Sequence, residues 1–128
     1  MSISRPGRGE PTVLWALTGF DGRVSREVYW LGNIMCGFIA IPLLAPSTDA
    51  TTGTVTLGPL APFVFVALLW TEIALAVKRL HDRGLTGWIA ATLAIPFVNI
   101  AAFVAIGLIP GDKGANTYAP ATNARGFA

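Results

Sequence analysis

The feature that most constrains this chain is a short charged stretch between two long apolar runs. Residues 78–88 read KRLHDRGLTGW, and they separate the apolar residues 57–77 from the apolar residues 88–109. A run of about 20 apolar residues is long enough to cross the hydrocarbon core of a bilayer as a helix. Charged side chains are costly in hydrocarbon, so the charged stretch is predicted to be a turn between two membrane spans.

Composition favours a membrane protein over a soluble one. Hydrophobic residues make up 53% of the 128 residues and charged residues only 12%, whereas about a quarter of a soluble domain is usually charged. A soluble fold of this length has too little interior to bury so many apolar side chains. The formal charge of +2 is too small to indicate nucleic acid as a partner.

We predict an all-α integral membrane protein, a three-span helical bundle with a short N-terminal interfacial segment. The spans cover about residues 28–45, 57–77 and 88–109, within a membrane domain of residues 20–110. Residues 1–19 form a flexible tail and the interfacial segment, and residues 111–128 form a polar C-terminal tail. Pro96 lies near the middle of the third span, which predicts one kinked helix. A re-entrant hairpin is the alternative.

The positive charges set the expected orientation. Seven of the nine Lys and Arg residues fall on one side of a three-span arrangement: Arg5, Arg8, Arg23, Arg26, Lys78, Arg79 and Arg83. Only Lys113 and Arg125, both in the C-terminal tail, fall on the other side. Because positive loops stay in the cytoplasm, the N-terminus is predicted to be cytoplasmic and the C-terminus external, with a return of the tail to the cytoplasm left open.

Three motifs resemble one bacterial membrane family, catalogued as "domain of unknown function 805". Residues 20–30 (FDGRVSREVYW) are similar to its F-x-G-R-x-x-R-x-x-Y-W entrance, and residues 78–88 to its R-R-L-H-D-x-G-x-S-G-W turn. Residues 114–120 (GANTYAP) resemble its G-x-N-R-Y-G-P ending, with Thr117 and Ala119 where Arg and Gly are usual. The resemblance implies a small multi-pass protein of the bacterial inner (plasma) membrane without an established activity.

The charged turn offers little for catalysis. His81 and Asp82 could form a proton relay or a metal site, but a zinc site needs three or four ligands. The chain has one His and one Cys, and Cys36 lies inside an apolar run. We therefore expect no catalytic residue, no metal and no cofactor, and a protein that is not an enzyme. The preferred interpretation is a structural rim network of Asp82, His81, Gly84, Gly87 and Trp88.

The same rim supports a hypothesis about partners. Five cations would form a surface that contacts anionic lipid or another protein: Arg23, Arg26, Lys78, Arg79 and Arg83. Each cation near an anionic membrane surface contributes about 1 kcal/mol. We expect the partners to be membrane lipids, and either a second copy of the chain or another membrane protein. We also predict that Asp82 accepts a hydrogen bond from Arg23 or Arg26.

Three polar residues lie inside the predicted spans: Asn33, Glu72 and Asn99. Intramembrane ionisable groups usually face the bundle or a cavity and have a partner. Glu72 is therefore predicted to point inward and to bond to Asn33, with an approach to Arg79 as the other possibility. A polar stripe of these three residues is also what a subunit of an oligomeric transporter or channel would carry, which is the alternative function.

Overall fold

The structure, a computed structural model, describes residues 8–127. Residues 1–7 of the predicted flexible tail, and Ala128, lie outside the described residues. In chain order the elements are α1 (Val13–Thr18), α2 (Arg26–Leu44), β1 (Ser47–Thr48), β2 (Val55–Thr56), α3 (Ala61–Asp82), a 3-10 helix (Gly87–Ala94) and α4 (Val98–Leu108). The fold is mostly helical, as predicted.

Two long helices, α2 and α3, form the frame of the molecule. α2 begins where Ser25 accepts a hydrogen bond from the Val28 amide at 3.2 Å, and Glu27 lies in its first turn. The helices have 19 and 22 residues, which correspond to about 28 Å and 33 Å. Both are long and apolar enough to cross a membrane. The short antiparallel hairpin of β1 and β2 joins them at one end.

The predicted third helical span is not confirmed, because the structure has two shorter helices in its place. The stretch 88–109 is divided between the 3-10 helix of eight residues and α4 of 11 residues. Each piece is about 16 Å long, which is half of the roughly 30 Å that a span must cross. The break falls at Pro96 and Phe97, where Phe97 has a φ of +66°. Bulky residues rarely adopt this conformation, and it turns the chain back.

The two short helices form a re-entrant hairpin, the alternative left open by the sequence. The 3-10 helix begins at Gly87, which lies beside Val77 and His81 near the end of α3. α4 then returns toward the same end. The Tyr29 hydroxyl donates to the Phe103 carbonyl at 2.8 Å, and the Trp30 indole donates to the Gly107 carbonyl at 3.0 Å, both from the first turns of α2.

One end of the molecule, called here the charged end, comprises residues 8–26, 78–87 and 109–127. It contains every Lys and Arg of residues 8–127, including Lys113 and Arg125. The N-terminal and C-terminal segments meet there, since the Arg8 amide donates to the Gly126 carbonyl at 2.8 Å. The prediction that the C-terminal tail lies on the side opposite the N-terminus is therefore wrong.

The hydrophobic core lies directly beneath the charged end. Tyr29, Leu75, Ala76, Leu80, Ala90, Leu93 and Ile106 are its buried members. Farther from the charged end, large apolar side chains cover the outside of the helices, with Phe97 at 92% exposure. An exposed apolar surface of this extent is typical of a protein in contact with lipid.

Candidate functional site

The centre of the charged end is the Asp82 carboxylate, which is only 3% exposed. Its Oδ1 accepts hydrogen bonds from Arg23 Nε at 3.0 Å and from Thr122 Oγ1 at 2.6 Å. Its Oδ2 accepts from Arg79 Nη1 at 2.5 Å. The predicted bond between Arg23 and Asp82 is thus present. We call Arg23, Lys78, Arg79 and Asp82, all of which are buried, the buried charge cluster.

The two arginines of this cluster hold the C-terminal tail through its backbone. Arg23 donates to the carbonyls of Gly114 at 2.6 Å and Asp112 at 2.8 Å. Arg79 donates to the Ile109 carbonyl, and also to the Val24 carbonyl at 3.3 Å. Guanidinium groups present five donors in a fixed plane, so each arginine can bridge a carboxylate and several carbonyls at once.

Lys78 holds the N-terminal segment in the same way. Its ammonium donates to the Trp15 carbonyl at 3.1 Å and to the Gly19 carbonyl, and it lies 5.3 Å from the centroid of the Trp15 ring. Trp15 is itself buried, and its indole donates to the Asp21 carbonyl at 2.9 Å. Trp15 therefore packs over a buried cation.

Charge in the cluster is unbalanced, but hydrogen bonding is nearly complete. The cluster has three cations and one carboxylate, which pairs with the two arginines, and backbone carbonyls from residues 15–24 and 109–114 accept the remaining donors. Among the described residues, Arg79 Nε is the one nitrogen of this cluster that is buried without a partner. A carboxylate occupied on both oxygens is poorly suited to act as a general base, which fits a structural role.

His81 attaches the tail from another side. Its ring stacks on Tyr118 with 3.8 Å between centroids, and its Nδ1 lies 3.1 Å from the Gly22 carbonyl oxygen. The Asn116 amide donates to the His81 carbonyl at 2.8 Å. The imidazole thus faces a backbone carbonyl and not the Asp82 carboxylate, so the two side chains do not form a relay in this arrangement.

Of the remaining rim residues, two glycines lie at or near the end of α3 and Trp88 is exposed. Gly84 has a φ of +79° and ends α3, with its amide donating to His81 and the Leu85 amide donating to Leu80. These two bonds make a Schellman motif, for which glycine is the usual residue. Gly87 lies against Val77. Trp88 is 86% exposed, outside the network to which it was assigned.

The cationic surface expected from the sequence is largely absent. Arg23, Lys78 and Arg79 are buried and bonded within the chain, so they are not part of an exposed cationic surface in this structure. The physical reason is that a buried cation is too costly to leave unpaired, and the carbonyls of the tails supply its partners. Arg26 and Arg83 are exposed.

A second group of polar side chains lies deeper. Asn33, Glu72 and Asn99, from α2, α3 and α4, line one cavity of about 350 Å³ together with Thr71 and Cys36. The Asn33 amide donates to the Tyr29 carbonyl of its own helix at 2.8 Å. Within residues 8–127 no hydrogen bond joins Glu72 to Asn33 and no ion pair joins it to Arg79, so neither predicted partner is found.

Sequence reasoning missed the contribution of the C-terminal tail. Asn116 and Tyr118 were part of the third motif, but their contacts with His81 were not foreseen. Thr122, which bonds directly to Asp82, belongs to no motif. Gly111 lies so close to the Asp82 carboxylate that a Cβ there would overlap it. A glycine at position 111 was the only feature of the tail sequence that could have indicated such a close approach.

Most of the chain, including the cavity and much of the charged end, is similar to known proteins. A family model described as "Protein of unknown function (DUF805)" matches residues 17–120. The chain is 33% identical over 102 residues to "Uncharacterized protein YiiR" of Escherichia coli strain K12, which is 78% of this chain and 64% of that protein. It is 26% identical over 107 residues to "Inner membrane protein YhaI" of the same strain, 84% of this chain and 88% of that protein. No solved structure matches.

Proposed function

Because this chain belongs to the family described as "Protein of unknown function (DUF805)", we propose that it is a non-enzymatic structural or interaction protein of the bacterial inner membrane. Its two long apolar helices and its similarity to a protein named for the inner membrane support the location. The observation that carries the structural role is the buried charge cluster, which joins the entrance of α2, the end of α3 and the C-terminal tail.

The orientation we propose has the charged end in the cytoplasm. All Lys and Arg of residues 8–127 lie at this end, and positive charge is retained on the cytoplasmic side. The re-entrant hairpin brings the C-terminal tail to the same side. A reporter fused after residue 127 is therefore expected in the cytoplasm, and one inserted between Thr51 and Thr54 is expected outside. A reporter found outside after residue 127, together with one found in the cytoplasm between Thr51 and Thr54, would overturn the orientation.

Two exposed cations give the charged end its proposed partner, anionic lipid. Arg26 starts α2 and Arg83 follows the last residue of α3, and neither is engaged in the buried charge cluster. Both would lie near the lipid phosphates of the cytoplasmic leaflet. An attraction of about 1 kcal/mol per charge corresponds to roughly fivefold enrichment per arginine.

The lipid proposal is tested by the double variant Arg26→Gln/Arg83→Gln, purified in detergent and exchanged into mixed phosphatidylglycerol and phosphatidylcholine. Phosphatidylglycerol that remains bound to the protein is quantified by mass spectrometry. We expect a loss of enrichment of at least fivefold. The matched control, Arg8→Gln/Lys113→Gln, removes the same charge from two other exposed positions. An equal loss of phosphatidylglycerol enrichment in both variants would show that net charge alone determines binding. No loss in the Arg26→Gln/Arg83→Gln variant would contradict the proposal.

The second candidate function, a subunit of an oligomeric transporter or channel, has one observation in its favour. Asn33, Glu72 and Asn99 come from three helices and line a single cavity. The substitution Glu72→Gln keeps the shape and the hydrogen-bonding capacity but cannot carry charge. Lost cellular function with an intact fold would support transport through this cavity. Unchanged cellular function would leave the structural role alone.

A further inference from the structure

The cavity lined by Asn33, Glu72 and Asn99 lies below the charged end, between the apolar parts of α2, α3 and α4. Glu72 is six residues before Lys78, where the charged end begins on α3, so it lies about 9 Å below that end, a depth inside a hydrocarbon core about 30 Å thick. Asn99 lies in the first turn of α4, immediately after the tip of the re-entrant hairpin. Because α4 is so short, a concave surface remains between it, α2 and α3.

The polar groups of this cavity are not satisfied within the chain. Among the hydrogen bonds of residues 8–127, the side chains of Glu72, Asn99 and Thr71 have none, and Asn33 uses only its amide nitrogen. These side chains are only partly buried, so the surface they form is open. Lipid chains cannot supply hydrogen bonds, and each unsatisfied polar group in hydrocarbon costs several kcal/mol.

We propose that this surface is where two copies of the chain associate. A carboxyl group accepts hydrogen bonds and a carboxamide both donates and accepts them, so the patch can pair with itself across a two-fold axis. Gly37 and Cys36 border the polar groups, and at Gly37 an added Cβ would meet no atom within 4 Å. Small residues allow helices to approach closely in lipid, and polar side chains then bond across the interface.

This inference does not depend on the lipid proposal, because the lipid contacts are assigned to Arg26 and Arg83 at the charged end. It also differs from the transport hypothesis, since a pair of chains that bury the patch against each other need not form a pathway. Each of the three proposals can therefore be contradicted by experiment without affecting the other two. Loss of association leaves lipid enrichment at the charged end unchanged.

The single native cysteine provides the test. Cys36 lines the cavity, so a two-fold pair centred on this surface brings the two thiols near each other. We expect a short bismaleimide, added to membranes that contain the wild-type chain, to give a covalent dimer on denaturing gels. The control Cys36→Ala/Ile34→Cys moves the thiol two positions along α2, to a side chain that is 53% exposed on another face, and is expected to give little dimer.

Polar substitutions then separate specific association from chance collision. Glu72→Ala and, on a different helix, Asn99→Ala are each expected to lower the dimer yield roughly threefold to twentyfold, the range of interhelical hydrogen bonds in membranes. Glu72→Gln is expected to keep it. Equal cross-linking at positions 36 and 34, or a yield unaffected by both alanine variants, would overturn the proposal. So would co-purification in which differently tagged copies never associate.

Discussion

The charged end and the cavity lined by Asn33, Glu72 and Asn99 differ in how their polar side chains are bonded. At the charged end Asp82 has three donors, and its two arginines also bond to backbone carbonyls. In the cavity Glu72 and Asn99 have no partner within residues 8–127. A buried polar side chain whose hydrogen bonds are made within the chain stabilises the fold. A polar side chain that has no such partner, and that faces lipid, needs a hydrogen-bonding group from another molecule. The first region therefore determines the shape, and the second is where association is proposed.

The largest effect should follow from removing the charge at the centre of the cluster. Asp82→Asn keeps the size of the side chain but leaves Arg23 and Arg79 as buried cations without a counter-ion. We expect a loss of about 3–5 kcal/mol in the free energy of unfolding, because breaking a buried pair on one side strands the other charge. Denaturant unfolding in micelles measures it. The control is Asp49→Asn, at an exposed carboxylate. A similar loss of stability in Asp82→Asn and Asp49→Asn would contradict the role given to the buried charge cluster.

A smaller loss is expected from Gly111→Ala, which tests how closely the tail approaches the cluster. A Cβ at Gly111 would overlap the Asp82 carboxylate, so either the tail or the carboxylate must move. Such crowding typically costs about 1–3 kcal/mol. Gly37→Ala, compared in dilute detergent where copies are separated, is the matched change because the new methyl group meets nothing within the chain. Thermal unfolding of the two variants should separate them, and equal melting temperatures would show that the tail is not held there.

Substitution in the cavity should change the stability of the fold much less. Glu72→Leu removes a carboxyl group that has no partner inside the chain, so we expect the free energy of unfolding of the monomer to change by less than about 0.5 kcal/mol. The measurement is made in dilute detergent, where copies are separated. A loss as large as that of Asp82→Asn would mean that Glu72 has an internal role, and the contrast between the two regions would disappear.

The smallest effect concerns Asp49, in the exposed turn between β1 and β2. Hydrogen bonds from the Thr51 and Thr52 amides lower the pKa of its carboxyl group below the ordinary value. Its contribution to the turn is therefore complete above the unfolded pKa, and is lost as the pH falls through the lowered folded pKa. An NMR titration of the carboxyl carbon should show this lowered midpoint. A midpoint at the ordinary value would mean that the turn is open.

Local signals in the sequence predicted a good part of the charged end. Ser25 and Glu27 are residue types typical of a helix N-terminus and lie at the start of α2, and the predicted hydrogen bond from Arg23 to Asp82 is present. Such predictions succeed because a cap needs a particular side chain at a particular position, and an isolated charge near a membrane needs an opposite charge.

The re-entrant hairpin and the tail could not be predicted in the same way. Apolar residues on either side of Pro96 look alike whether the chain continues or turns back, and the reversal depends on the backbone at Phe97 and on contacts with Tyr29 and Trp30. In the tail the arginines bind backbone carbonyls, which every residue possesses. An interaction of that kind leaves no mark in the side chains of its acceptor.

The bond between Arg23 and Thr122 joins residues 99 positions apart, and this separation sets an order of events during synthesis. At the usual rate of translation, on the order of 5–20 s pass between the two residues. During that interval α2 and α3 are complete while Arg23 and Arg79 still lack the carbonyl acceptors of residues 109–114. The segment after α4 thus completes the buried charge cluster, and a chain that stops after α4 leaves Arg23 without the acceptors that this segment supplies.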